Sequence, residues 1–514
     1  YSMDSALDEA QENTAVGYGS LSSITTADRN TAIGYNAATA LTTGANNVIV
    51  GNAAGDAVIG ASGSVFLGYN AGGTVTYGSD NIAIGNDAMN GGTVTTGTRN
   101  IAIGLSAGDA ITTGYEHIAI GKDAGGAFTT GNNNVAIGTH ALRQCTEGSV
   151  MVAIGGYALD SVTSSTAVNK TVAIGYYALQ SLTVGENNTA LGYQALTANS
   201  AGDQNTAVGN DAMMTYNPAD GDGHNTAVGH NALKALTTGV DNTVVGSTAG
   251  DAANTASGST LVGMAAGGTM TSGNANTFVG YNAGANDATM TGDANVAIGY
   301  NTAKTMTSAA HNVFIGDNAA TAHTTGLNNV IIGQKAAQSN TGLDNCTIIG
   351  RNTSGNNGAS FEFIYGSGVG GLGGNSMTIG KDSTNRIYNV FTSNATWTRS
   401  SDKRIKKDIN TNIDIGLDFI KDLRTVNFKW KAPSEIPQEI TDLSGKVHEL
   451  DAYNESKTEH DHPDKIYGFI AQEVKETLDN HNIKGFSGWH EGIDGVQGVS
   501  YEMFVVPLVK AIQE

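Results

Sequence analysis

Asn295-Val296-Ala297-Ile298-Gly299 is one of twenty near-copies of a single phrase, and the alternation of its side chains decides the fold. On an extended backbone successive side chains point to opposite faces, so Val296 and Ile298 share one face and Ala297 the other. Aligning the chain on the glycine that follows an aliphatic residue gives twenty units, from Gly17 to Gly350. Of the 19 intervals between them, 15 are 17 residues, two are 19 and two are 20, a regularity that ordinary loops do not produce. Ile, Val or Leu precedes the glycine in all twenty units, and Asn opens fourteen of them.

A helix per unit is opposed by the glycine at each centre, the frequent Thr and Asn, and the β-branched residues before the glycine. One short strand per turn of chain fits instead, with Thr42-Thr43-Gly44 and Thr129-Thr130-Gly131 supplying reversals. The bulky face is expected to fill the inside of each coil. The Ala and Gly face is expected to let another backbone approach, in a flattened coil or between chains around a common axis. Inward Asn side chains should satisfy one another along the stack. At roughly 4.8 Å per coil, twenty coils make a rod of about 90 to 100 Å.

Asn81-Ile82-Ala83-Ile84-Gly85-Asn86-Asp87-Ala88 and Asn134-Val135-Ala136-Ile137-Gly138-Thr139-His140-Ala141 carry a resemblance. They resemble the head repeat of trimeric autotransporter adhesins, which implies a parallel β-roll shared by three chains. Two departures stand out: the 17-residue unit is longer than is usual in those adhesins, and no C-terminal membrane-anchor barrel follows.

Composition sets further bounds. With 69 Gly in 514 residues, 14% charged and 6% aromatic, the chain has too few large apolar side chains for several ordinary cores, and repetition is the answer. A net charge of −21 argues against nucleic acid as a direct partner, because phosphate binding needs clustered Lys and Arg. Cys145 and Cys346 are far apart, with no Cys-x-x-Cys or His spacing, and are expected to be buried free thiols. No cofactor or metal site is indicated, and no apolar run reaches the ~18 residues of a membrane span, so membrane insertion is not expected. The chain starts at Tyr1 without a signal-like stretch, so residues 1–12 read as the remnant of a longer N-terminal part, where any anchoring device would lie.

The long units place extra residues near Asn90-Gly91-Gly92, Ser161 to Lys170, Met214 to His224 and Gly280 to Ala294. These read as protruding loops or surface slack, the most distinctive holding Tyr216, Pro218, Asp220 and Asp222. The repeat shaft spans residues 13–352, and residues 353–400 form a distal β-rich neck or tip. There Phe361, Phe363, Tyr365, Tyr388 and Trp397 are candidate receptor contacts if exposed, or the core of a three-chain plug if buried.

At Ser400-Ser401-Asp402-Lys403-Arg404-Ile405-Lys406 the composition changes. Residues 1–400 hold 12 Lys+Arg and 26 Asp+Glu, whereas 401–514 hold 14 and 21 in little over a quarter of the length. Lys406 lies five residues after Ser401, and Lys403, Arg404 and Lys407 crowd it, which favours the neutral amine a general base needs. By itself this spacing is common on solvated faces. Ser401-Asp402-Lys403-Arg404-Ile405-Lys406-Lys407-Asp408-Ile409, Tyr467 to Val474 and Tyr501 to Glu514 together resemble the intramolecular-chaperone auto-processing domain that ends phage tailspikes, endosialidases and tail fibres. The resemblance implies a trimeric chaperone that cuts itself off between Ser400 and Ser401, with Ser401 as nucleophile and Lys406 as base.

Within this domain, Ile413 to Leu423 and Ile470 to Leu478 read as helices and Val426 to Trp430 as a strand. A final helix, kinked at Pro507, is expected to stack Phe504, Leu508 and Ile512 on one face. Residues 431–465 read as an inserted polar loop; His460-Asp461-His462 within it could hint at metal, but three adjacent loop side chains rarely converge.

The fold class that follows is mainly β: a repetitive parallel β-roll or β-solenoid rod with a small α+β C-terminal domain, assembled as a homotrimer. The implied function is a viral tail fibre or tailspike shaft on the virion tail. Its partners would be other virion tail proteins and a host surface receptor, a glycan or outer-surface protein. The alternative is a bacterial trimeric surface adhesin with the same rod. An enzyme acting on surface glycan is disfavoured, since no paired carboxylates stand out from the repeats.

Overall fold

The computed structural model describes residues 10–91, 95–163, 168–219, 221–285, 289–391, 398–399, 415–428, 466–491 and 497–514. The chain divides into two compact units, Tyr1–Ser400 and Ser401–Glu514.

The first unit is a β-solenoid. Each repeat contributes one three-residue strand, from Thr14–Val16 to Thr347–Ile349. Each strand lies parallel to the next and in register by one whole unit, so that Ile118, Ala119 and Ile120 face Val135, Ala136 and Ile137. The ladder continues without a break through Glu362–Gly366 and Ser376–Gly380, and turns antiparallel only at Arg386–Val390. Backbone bonds run from coil to coil all the way round, as in Ile118 N–H to Asn134 O at 2.9 Å and Asp123 N–H to Leu105 O at 2.9 Å. Stacking therefore satisfies much of the backbone, and bonds within each turn and to Asn and Ser side chains take up further N–H groups.

The two faces of the strand are the reverse of the sequence expectation. Ala119, Ala136 and Ala297 are fully buried, whereas Val296 is only partly covered and Ile298 is 38% exposed. The small face points into the coil and the bulky face points out. The interior is filled instead by trading volume among three positions: the middle of the strand, and the fourth and seventh residues after the glycine. Where the strand offers Phe66 or Phe278, the fourth position is Gly72 or Gly284, and a Cβ on either would come within 2.7 or 2.6 Å of that ring. Where the strand offers Ala136, Ala153 or Ala173, the fourth position is Leu142, Leu159 or Leu179, each fully buried. These leucines sit at φ 49, 52 and 49°. A left-handed leucine costs ~1–2 kcal/mol, which burying its side chain at ~1.5–3 kcal/mol offsets.

The strand-ending glycine is required by a close approach. Gly121 has φ +129°, and a Cβ there would lie 2.7 Å from the carbonyl of Gly138 in the next coil. The Asn row behaves as expected: Asn47 donates from its amide nitrogen to Asn30 Oδ1 at 2.9 Å and to Ala61 O at 2.8 Å, while its backbone N–H meets the same Asn30 oxygen at 3.0 Å. Threonine hydroxyls add a second row at the turn, Thr112 Oγ1 to Thr129 O at 3.0 Å and Thr129 Oγ1 to Thr146 O at 2.9 Å. Cys145 and Cys346 are buried free thiols.

Tyr216, read as part of an insertion that either projects or is surface slack, is fully buried. It occupies the seventh position of its coil, a core position, and burial pushes its hydroxyl up to about 12. Beside it, Gly202–Asp203 and Gly221–Asp222 pair as a small parallel addition to the coil. The residues 92–94, 164–167, 220 and 286–288 of the long units lie outside the described residues.

The second unit is α+β. Helix α1 (Leu417–Asp422), α2 (Ala471–Asn480) and α3 (Val505–Gln513) surround a core of Phe419, Val474, Leu478 and Phe504. Val426–Phe428 pairs antiparallel with Ile466–Gly468, and Trp489–Glu491 with Gln497–Val499. The last helix departs from expectation. Tyr501–Phe504 forms a separate 3₁₀ turn, and Pro507 falls in the first turn of α3, where its missing N–H costs nothing, so it does not kink a longer helix. Phe504 is buried, but Leu508 is 45% and Ile512 84% exposed, so the described residues do not bury the expected stack.

Candidate functional site

The chemistry read from the sequence falls on Ser400, Ser401 and Lys406, which lie outside the described residues, as do Trp397, residues 431–465 and the motif His460-Asp461-His462. The structure does describe the framework that follows them. Phe469, in the stretch Tyr467 to Val474, stacks on Tyr501 at 5.6 Å and on Phe504 at 5.1 Å. Its backbone N–H donates to Tyr501 Oη at 3.0 Å. Two of the three stretches that carry the chaperone resemblance are thus one packed cluster. Phe419 of α1 joins it, 6.4 Å from Phe504 and 6.0 Å from Phe486.

Charge ties the same elements together. Glu514, the last residue, accepts from Leu417 N–H at 2.6 Å at the start of α1 and pairs with Lys510 at 3.0 Å. The Leu417 N–H, then Lys510, hold its carboxyl below the ordinary Glu value. A carboxylate there meets the free N–H groups and the positive end of the helix. Arg424 bonds Glu473 at 2.6 Å, and His481 meets Asp422 at 2.8 Å. These side chains hold α1, α2 and α3 as one body.

At the end of the solenoid the candidate contacts separate. Phe361, Phe363 and Tyr365 are 56%, 48% and 61% exposed, whereas Tyr388 is half-buried with the Arg386 guanidinium 5.8 Å above its ring. Phe363 and Tyr365 stand opposite Thr347 and Ile349 in the ladder, so they continue the outward bulky face of the repeats. Sequence reasoning missed Glu362, which is fully buried between the exposed Phe361 and Phe363. Its carboxylate accepts Asn356 N–H at 3.0 Å and Gly373 N–H at 2.8 Å, closing the coil where the Asn row ends. The available signal was a lone acid in an otherwise apolar strand directly after the period fails.

Other titratable groups of the solenoid are structural. His117 replaces an Asn of the row, is fully buried, stacks on Phe128 at 4.4 Å, and burial holds it down to about 4. Burial does the same to His323, and raises the Cys145 thiol to about 11, too high for a nucleophile near neutral pH. A groove of about 600 Å³ runs past Thr324, Leu327 and Thr341, and its one carboxylate, Asp344, is committed to Leu327 N–H at 2.8 Å. Among the described residues no His, Cys, Asp and Glu group is placed to hold a metal, and no helix is long and apolar enough to cross a membrane.

No curated protein and no solved structure matches the chain. One family model does: residues 401–483 match a peptidase family described as the chaperone of endosialidase. The match begins at Ser401, the residue at which the second compact unit begins, so the C-terminal part of this chain carries a domain similar to that self-processing intramolecular chaperone.

Proposed function

We propose that the chain is the shaft of a homotrimeric viral tail fibre or tailspike, assembled by its C-terminal domain, which then releases itself by cutting between Ser400 and Ser401. The observation that supports this reading is the position of the family match, which starts at Ser401 directly behind a repetitive solenoid. A stack of twenty similar coils can pair with a neighbouring chain one unit out of register and keep almost every contact. A unique clamp at one end sets that register. Removing the clamp afterwards leaves the assembled rod kinetically hard to undo.

In the cut, the Ser401 hydroxyl attacks the carbonyl carbon of Ser400, with proximity supplied by the covalent chain. Lys406 takes the hydroxyl proton and passes it to the departing amide nitrogen of Ser401. An ester between the two residues results, and water hydrolyses it. The mature rod would stand on the virion tail, joined to other tail proteins, and attach to a host surface glycan or protein. Ser401→Ala and Lys406→Ala should each leave a single full-length band on a denaturing gel. A fragment of about 400 residues in either variant removes that residue from the assignment.

A further inference from the structure

The outward face of the solenoid strands poses a problem for a lone chain. Val16 is 55% exposed, Ile33 39%, Leu67 45% and Leu191 44%, and each is the third residue of its strand. The first and third positions of all twenty strands hold only Val, Ile, Leu or Thr, without one charge. Beside them, after the glycine, tyrosines recur and stack on one another, as Tyr18 on Tyr35 at 5.5 Å and Tyr281 on Tyr300 at 5.4 Å. A strip of the three strand residues of twenty stacked coils covers about 950 Å², beyond the ~300–600 Å² patch a monomer usually leaves bare. It also exceeds the ~800 Å² per partner of a standard stable interface.

We infer that this strip is the surface on which copies of this chain pack, parallel and in register, with the strand faces turned toward a common axis. An uncharged ladder selects an equally uncharged partner, and the chain's own strip is one of the same length. The register follows from the first strand position, which is Thr in the six consecutive rungs from Thr189 to Thr277 and Val or Ile in the eight from Val48 to Val172. Parallel in-register packing sets threonine against threonine, where hydroxyls can pair. Reversing one chain about its centre sets those six threonines against the six rungs from Ile82 to Val172, burying hydroxyls on apolar side chains. Phe363 and Tyr365 extend the same strip beyond the last repeat, which makes them interface residues in this arrangement. The number of copies, three, rests on the proposed function; the face does not.

The test uses the full chain with a single new thiol and a short bismaleimide, read on a denaturing gel, with mass in solution measured in parallel. Ile120→Cys sits on the strip and Thr130→Cys on the exposed turn of the same coil. Ile120→Cys should couple to its own copy severalfold better than Thr130→Cys, because a short spacer joins only thiols that face each other across the contact. A trimer that couples at Thr130, or at neither position, overturns the face and leaves the fibre reading standing. Coupling of Ile120→Cys to Val245→Cys in a mixed preparation, above coupling of either to itself, overturns the parallel register. A monomer overturns both the face and the trimer.

Discussion

The solenoid and the C-terminal unit are ordered by opposite means. In the solenoid most coils solve the same problem with the same parts: an alanine or its volume equivalent inside, an amide row, a threonine row and a glycine pressed on the next coil. In the C-terminal unit nothing repeats, and one cluster of Phe419, Phe469, Phe486 and Phe504 gathers elements far apart in the chain. Repetition gives length with little information about register. A single aromatic cluster gives unique contacts but little length. A molecule that must be both long and correctly aligned needs one of each.

The largest effect should separate the units by what a lost ring does. Phe419→Ala should cost ~3–5 kcal/mol and unfold the C-terminal unit, which on the proposed function leaves chains uncut and unassembled. Phe128→Ala should cost a similar ~3–5 kcal/mol but remain confined to its coil and neighbours, since solenoid contacts are nearest-neighbour. Limited proteolysis of both variants checks this; equal fragmentation of the whole chain would break the contrast.

Next comes the same substitution in both units. Gly138→Ala combines φ +131° with a Cβ 2.6 Å from the Gly155 carbonyl carbon, and should cost ~3 kcal/mol or more. Gly485→Ala, at φ +73° with nothing within 4 Å, should cost only ~1 kcal/mol. Denaturant midpoints of the two variants provide the comparison.

A pH dependence should mark the coil where the row is interrupted. Because burial holds His117 near 4 in the folded state against 6.5 unfolded, the unfolded chain binds the extra proton between those values. Stability contributed by neutral His117 is therefore full above about pH 6.5, falls as pH drops, and is lost by about 3 kcal/mol near pH 4. His117→Asn restores the row residue and should flatten that part of the melting profile. An unchanged slope would place the titration elsewhere, with His323 the other buried imidazole among the described residues.

The smallest effect sharpens the solenoid side alone. Thr129→Val removes the hydroxyl that meets Thr146 O at 2.9 Å and should cost ~0.5–1.5 kcal/mol by thermal melting. A larger loss would mean that the turn row carries more of the stack than its part-buried setting implies.

Much of this was legible in the residues, because stacking writes itself into a chain as a period. The twenty glycines after Ile, Val or Leu, with the Asn row, locate the twenty repeat strands, and the Thr-Thr-Gly stretches mark several of the turns. The change at Ser401 marks the boundary for the same reason, as the point where the period and low charge stop. The helices α1 and α2 were legible from apolar spacing, with ends displaced by a few residues. Pro507 was misjudged because spacing does not show where a helix begins.

The sequence by itself determined that one strand recurs per turn, that its faces differ in size, and where the second unit starts. Only the tertiary structure decided which face is inside. Alternation separates Ala297 from Val296 and Ile298 but assigns neither to the core, and larger side chains ordinarily go inward. Here the coil closes on itself within one unit, so the volume opposite Ala136 is supplied by Leu142 from the same turn, and no room remains for the β-branched pair. They are left on the outside as a bare ladder.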